Sequence, residues 1–278
     1  MIRDIANSDL NSIVYVIKET RGIDLGEYAP SSLTRRFLRF MEIMQIWDVK
    51  ELVSKTRSNK DFADNFLHEI TVCVTEMFRD PDFWVIIRDK IIPILQEKKS
   101  IKIWHAACST GEEVLSMAIL LKEAGIYNRV EITATDINET VLKIARKGIY
   151  LKNKQEINIK NHQKYGGQFP LSDYYGIQDN NVIFDEDLLK NVEYKFHNLA
   201  KDQPFGQFDL IICRNVLIYF NKVLQDKVLR SFIEGLNKGS YLGIGSKESI
   251  TTSNSARFFN AVSLEEKIFQ LNPKTGNN

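Results

Sequence analysis

The sequence has few of the features that mark a secreted, membrane-bound or metal-dependent protein. No apolar run in its 278 residues is long enough to span a bilayer, and the first residues, MIRDIANSDL, contain no apolar signal core. There are only three cysteines, an odd number that cannot all pair internally. Two of them, Cys108 and Cys213, lie among other chemistry-bearing residues, so the expectation is a reduced, cytoplasmic protein and not a disulfide framework. Four histidines (His68, His105, His162 and His197) show no metal-ligand spacing and no CxxC occurs, so no metal site is expected. A net charge of +1 gives no global field for nucleic acid or an anionic membrane. No GxGxxG follows a strand and nothing resembles a nucleophile elbow, which sets aside dinucleotide dehydrogenases and serine hydrolases.

What is present reads as two regions. From Ser8 to about Leu95 the apolar spacing is helical, with faces such as Ile13, Val14, Val16 and Ile17, then Leu33, Phe37, Phe40, Met41 and Met44 after a cap at Ser31 or Ser32. Phe62, Phe66, Leu67 and Ile70 form a third face after Asn59. The expected division is a helical domain with linker over 1–96 and an α/β domain over 97–278. From Ile101 onward strands and helices alternate, as in a parallel sheet with crossover helices. One helix is bracketed by Asn138 and Gly148. The closing FFNAVSLEEKIFQLN has the form of an antiparallel hairpin. Residues about 150–191 break the alternation, with Gly166-Gly167, Pro170 and DYYG. So long a structureless loop is improbable, so an inserted small β-sheet or hairpin is expected there.

Four strands deliver polar groups to one edge. IKIWHAACSTGEE runs from a strand through small residues, including Ala107, into a helix opened by Glu112 and Glu113. EITATDI ends in Asp136, where nucleotide-binding α/β folds place an acid against ribose hydroxyls. FDLIICRNVLIYF stops being apolar at Arg214 and Asn215, and VEYKFHNL ends in Asn198 and Leu199. Buried polar groups are costly unless paired, so a ligand at this edge is the leading reading. Either glutamate could simply satisfy the helix dipole. Together they disfavour a pyrophosphate and suit a cationic ligand such as S-adenosylmethionine.

These segments, with VTEMFRDPDFW and SSLTRRFLRFM, resemble the CheR family of chemoreceptor protein-glutamate O-methyltransferases over nearly the whole chain. The resemblance implies a class I, Rossmann-like α/β methyltransferase sheet, an all-α amino-terminal domain and a small inserted β-subdomain. It implies S-adenosyl-L-methionine as cofactor and S-adenosyl-L-homocysteine as product. Thr75 and Arg79 would close over the donor, Ala107 and Glu112-Glu113 meet its aminocarboxyl-propyl end, Asp136 hold the ribose, and Asn198 and Leu199 flank the adenine. Which glutamate makes the contact stays open. Arg214, Asn215 and Tyr219 would line the methyl-transfer pocket, with Arg79, Arg214 and Tyr219 as catalytic candidates. Two departures stand out: Cys73 where the family often has asparagine, and Val114-Leu115 where a proline-tyrosine pair is common.

The implied acceptor is a glutamate of a methyl-accepting chemotaxis receptor. A glutamate has a reference pKa of about 4.3, so it is ionised at neutral pH and needs no general base. Arg35, Arg36 and Arg39, within roughly one helical turn, are candidates for docking acidic receptor helices. The inserted block is a candidate for pairing with a receptor's carboxyl-terminal peptide. A monomer with no nucleic-acid partner and no membrane insertion is expected. The alternatives are a cofactor-binding regulator of the same fold without transfer activity, and a methyltransferase for RNA or a small molecule.

Overall fold

A computed structural model describes residues 4–71, 75–251 and 253–272. The chain divides into two compact units: Met1–Cys73 with Ile218–Gln225, and Val74–Leu217 with Asp226–Asn278.

The first unit contains helices α1 (Asn7–Arg21), α2 (Pro30–Ile43), α3 (Val49–Ser58) and α4 (Lys60–Ile70). Their apolar stripes meet at Phe37, Phe40 and Phe66, whose rings lie 4.5 to 5.5 Å apart. Asn59 caps α4 by accepting from the Phe62 N–H at 3.0 Å. The start of α2 differs from expectation. Ala29 is the cap residue and Pro30 opens the helix, its fixed φ and missing N–H suiting the first turn. The segment 218–225 belongs here too, because the Ala29 and Asn221 N–H groups donate to the Tyr219 and Glu27 carbonyls at 2.8 and 3.0 Å.

In the second unit α5 (Pro81–Ile86) runs through a π-helical turn, Ile87–Ile91, into α6 (Ile92–Gln96). Residues 81–96 are helical but do not join the first unit, so the expected border near 96 moves to about 73. The reason is apolar burial: Phe83, Trp84, Ile87, Ile91, Ile92 and Leu95 pack with Ile101, Ile103 and Leu210 in one core.

Beyond them come β1 (Ile101–Ala106), α7 (Glu112–Glu123), β2 (Val130–Asp136), α8 (Glu139–Lys147), β3 (Ile149–Leu151), α9 (Gln155–Tyr165), β4 (Tyr175–Gln178), β5 (Asn181–Phe184), β6 (Val192–Phe196), β7 (Phe208–Cys213), α10 (Lys222–Gly235), β8 (Leu236–Ile244), β9 (Phe259–Ser263) and β10 (Ile268–Leu271). Seven strands form one sheet in the order β6-β2-β1-β7-β8-β10-β9. Its pairs from β6 to β8 are parallel, whereas β10 runs antiparallel to both β8 and β9. The closing hairpin is therefore present, but its antiparallel strand is inserted between two others. Every residue of β7 is buried, as expected of a central strand covered on both faces.

The block after α8 forms a second sheet, β3-β5-β4, with antiparallel pairs. It also holds α9, a helix of 11 residues that the sequence pattern did not reveal. Its buried positions are Gln155, Asn158, Asn161, His162 and Tyr165, so apolar periodicity had nothing to report. No helix among the described residues is long and apolar enough to cross a membrane.

Candidate active site

The sheet order reverses at β1 and β7, since β2 and β6 lie on one side of β1 and β7 and β8 on the other. A crevice at the carboxyl ends of such strands is where open α/β sheets bind ligands. The backbone there is strained. Of the eight non-glycine residues with positive φ among those described, five lie in the segments entering this edge: Phe78, Asp80, Ala107, Ser109 and Asn215. Each such residue costs about 1–3 kcal/mol, and their clustering is a pointer to function.

The turn after β1 shows how the strain is held. Ala107, Ser109 and Gly111 have φ of 61°, 52° and 92°. The Cys108 N–H donates to the Thr135 carbonyl at 2.8 Å, and the Ser109 N–H to Asp136 Oδ2 at 2.9 Å. A Cβ on Gly111 would lie 2.8 Å from the Ala145 Cβ, so only glycine lets α8 approach the turn so closely. Asp136 also accepts from the Asn138 N–H at 3.0 Å. Burial pushes its carboxyl above the usual range, opposed by the N–H groups of Ser109, Asn138 and Ile137. A carboxylate has about four acceptor positions, so Asp136 can brace the turn and still accept from a ligand hydroxyl.

The two glutamates that open α7 differ. Glu113 accepts from Arg214 Nη1 at 3.3 Å and lies 2.9 Å from His105 Nδ1. Burial pushes the Glu113 carboxyl up, but His105 and Arg214 together outweigh it and hold it below the usual range. Glu112 accepts from Thr110 Oγ1 at 2.6 Å, and burial pushes it up to about 7 despite that bond and the Lys154 charge. Glu113 is thus the anionic member of the pair at neutral pH, and Glu112 is close to half-protonated.

Arg214 is buried, and both of its Nη groups are engaged while its Nε has no partner among the described residues. Nη2 donates to Asp80 Oδ2 at 2.6 Å and to the Arg79 carbonyl at 3.0 Å, while its guanidinium carbon sits 4.2 Å from the centre of the Phe83 ring. Phe83 reaches this position because Gly243 has no Cβ; one there would lie 2.8 Å from the ring. A guanidinium shared between two carboxylates and a carbonyl acts as a clamp on the segments that meet there. Arg79 lends its carbonyl to that clamp, and its side chain, like Thr75, is half-buried.

Asn198 is also used locally. Its Oδ1 accepts from the Ala200 N–H at 2.9 Å and its own N–H donates to Asp202 at 2.7 Å, which shapes the turn that presents half-buried Leu199. Asn215, at φ 62°, donates its N–H to Glu248 Oε2 at 3.1 Å, and Glu248 accepts from the Gly245 N–H at 2.6 Å. Three members of this edge were missed in the sequence. His105 shows no ligand spacing, Asp80 was hidden beside Arg79 in FRDPDFW, and Glu248 follows the last parallel strand with no motif around it.

Two sets of residues singled out in the sequence fall in the first unit. Arg36 is only 7% exposed, donates to the Ile70 carbonyl and sits 3.6 Å over the ring of Tyr219. It is a buried residue and not part of a docking face, because the Tyr219 ring covers its guanidinium; Arg35 and Arg39 remain exposed. These two line a cleft of about 550 Å³ with Ser31, Thr34, Leu38 and Trp47. Tyr219 groups with the helical unit. Cys73 lies outside the described residues. Burial pushes the thiols of Cys108 and Cys213 well up, so neither is a nucleophile. Among the described residues no group of His, Cys, Asp and Glu could hold a metal ion.

A seven-stranded sheet with this order, one internal antiparallel strand and an acid ending the strand beside β1 defines a class I S-adenosylmethionine-dependent methyltransferase. The comparisons agree. Residues 73–268 match the CheR methyltransferase SAM-binding domain and residues 8–71 the CheR all-alpha domain. The chain belongs to the CheR methyltransferase family. A Pseudomonas putida protein named as a methyltransferase, Cher3, is 39% identical over 89% of this chain and 90% of its own length. Chemotaxis protein methyltransferases of Borreliella burgdorferi and Listeria innocua are 32% and 30% identical, over 89% and 84% of this chain and 90% and 87% of theirs. The Rickettsia typhi PKMT2 structure in complex with AdoHcy is a loose likeness, 17% identical over 52% of this chain and 21% of that one, with a TM-score of 0.33.

Proposed function

We propose that this protein methylates glutamate side chains of methyl-accepting chemotaxis receptors, forming glutamyl methyl esters. When bound, S-adenosylmethionine supplies an activated methyl group. The observation that carries the reading is the absence, among the described residues of the edge, of a base suited to an O–H or N–H acceptor. His105 is fully buried against Glu113, the two thiols are buried, and Glu112, although pushed up to about 7, is itself buried with its carboxylate engaged by Thr110. A carboxylate acceptor needs no deprotonation. What remains for the protein is alignment in a site from which water is excluded.

The strained turn at Ala107 would receive the donor's amino-acid end, with Glu113 as its anionic partner. Asp136 would accept from the ribose hydroxyls, and the Asn198 turn would set Leu199 against the adenine. Thr75 and Arg79 would close over the donor, and Arg79 would position the acceptor because Arg214 is committed elsewhere. Asn215 would complete the wall of the methyl-transfer pocket. The role of Tyr219 in that pocket rests on the resemblance alone, and turnover of Tyr219→Phe tests it. Arg35 and Arg39 would dock the receptor's acidic helices. The edge strand β4, where Ile177 is 58% exposed, would pair with a receptor's carboxyl-terminal peptide.

The test is incubation with methyl-labelled donor and receptor-bearing membranes, followed by mass mapping. Label on receptor glutamates that is released by mild alkali is expected. Alkali-stable label, label on RNA or small molecules, or cofactor binding with no transfer would overturn the reading.

A further inference from the structure

The segment from Thr75 to Asp80 has no regular secondary structure, so its backbone polar groups need partners from elsewhere. Those of Met77 find them on α9. Asn158 Oδ1 accepts from the Met77 N–H at 2.9 Å, and Asn161 Nδ2 donates to the Met77 carbonyl at 3.1 Å. Both backbone groups of one residue are thus satisfied by two side chains three residues apart on one helix face, as a neighbouring strand would satisfy them. Asn161 Nδ2 also donates to Glu76 at 3.1 Å, and Asn158 donates to Gln155 at 3.2 Å. Both asparagines are buried, at 4% and 7% exposure, where an unpaired amide would be costly.

The next residue is fixed as firmly. The Phe78 N–H donates to Ser116 Oγ at 2.8 Å, and its ring stacks on Tyr165 at 4.7 Å with His162 at 4.8 Å. Two of these three partners, Tyr165 and His162, again come from α9. The segment leaves this grip at Arg79, whose carbonyl is held by Arg214, the residue after β7. It is therefore pinned by α9 at Met77 and Phe78, by α7 at the Phe78 N–H, and by Arg214 at Arg79.

We infer that Asn158 and Asn161 are positioning residues that hold the 75–79 segment in the conformation that closes over the donor. Helix α9 has a polar inward face because it substitutes for the strand this segment lacks. The inference rests on the proposed placement of Thr75 and Arg79 beside S-adenosylmethionine. It assigns a function in donor binding to two residues of the inserted block, far in sequence from every residue of the edge.

The two asparagines act in opposite senses, one as acceptor and one as donor, and that separates positioning from general packing. Asn158→Asp keeps the acceptor facing Met77 and gives up only the donor to Gln155. Asn161→Asp replaces a donor with a carboxylate aimed at a carbonyl and at Glu76. Calorimetric titration of S-adenosylhomocysteine, well below each variant's melting temperature, should show Kd raised about tenfold or more in Asn158→Ala, Asn161→Ala and Asn161→Asp, the loss expected for one buried hydrogen bond left unmade. Asn158→Asp should stay within about threefold of wild type. Hydrogen exchange at the Met77 and Phe78 amides should quicken in the three weak binders and not in Asn158→Asp. If the alanine variants do not fold, the two aspartate variants decide. Equal affinity across the set, or equal loss in both aspartate variants, would overturn the inference while leaving the proposed function standing. Wild-type protein that failed to bind would overturn both.

Discussion

Helices α8 and α9 are near neighbours in the chain and are built on opposite principles. The inward face of α8 is Val141, Leu142 and Ala145, between an Asn138 cap and a left-handed Gly148. It is held to the sheet by apolar burial, which is non-directional and tolerant of small shifts. The inward face of α9 is Gln155, Asn158, Asn161 and His162, ending at Tyr165. Its hold is directional, because a hydrogen bond weakens steeply when its angle is lost. A helix that only fills space needs the first kind of face. One that must fix another segment's backbone to a few tenths of an ångström gains from the second.

That contrast can be tested by how stability and donor binding part company. The largest loss is expected at Arg214, where polar holding is densest. Arg214→Leu leaves Glu113 beside His105 without its cation and strips Asp80 of its partner. Breaking such a buried pair costs about 3–5 kcal/mol, and both urea-induced unfolding and methyl transfer should show it. Leu142→Ala on α8 should cost about 2–5 kcal/mol in the same unfolding experiment. Its Kd for S-adenosylhomocysteine should nonetheless match wild type while the protein stays folded. A matching loss of affinity there would erase the distinction between the two helices.

Glu112→Gln sharpens the comparison of the paired glutamates through pH. The Glu112 carboxyl titrates near 7 when folded, against an ordinary value of 4.5. The folded protein therefore holds this proton more tightly. The stability linked to it is complete below about pH 4.5 and is lost as pH rises to 7. The variant has no such group, so relative to wild type it should gain on the order of 2–3 kcal/mol between pH 4.5 and 7.5, read from chemical unfolding at several pH values. A flat difference would mean that Glu112 is ionised throughout. The smallest effect is expected from Arg35→Glu with Arg39→Glu. Methylation of intact receptor should fall several-fold at low salt and by less at high salt, with donor affinity unchanged.

Much of the sheet was legible because its residues obey simple periods. β1, β2 and β7 are short apolar runs ending in polar groups, and α8 carries both a cap and a stop signal. Asp136 was legible as an acid at a strand end, and it is the last residue of β2. What was not legible is side-chain commitment. Nothing in RNVLIYF says that Arg214 is consumed by Asp80 and Glu113, since Asp80 is 134 residues away. Nothing in SSLTRRFLRF separates buried Arg36 from exposed Arg35, because the difference depends on Tyr219 arriving from the far end of the chain. Helix α9 escaped because hydrophobic period is the primary signal for a helix, and its buried side is made of amides.

The central claim is that the strained edge between Asp136, Glu113 and the 75–79 segment binds the methyl donor. Titration of S-adenosylhomocysteine into wild-type protein and Asp136→Ala, with melting curves to confirm that both are folded, tests it most directly. One-to-one binding by wild type and a loss of about tenfold or more in the variant is the predicted result, from one charge-assisted hydrogen bond removed. Equal affinity in two folded proteins would contradict the account.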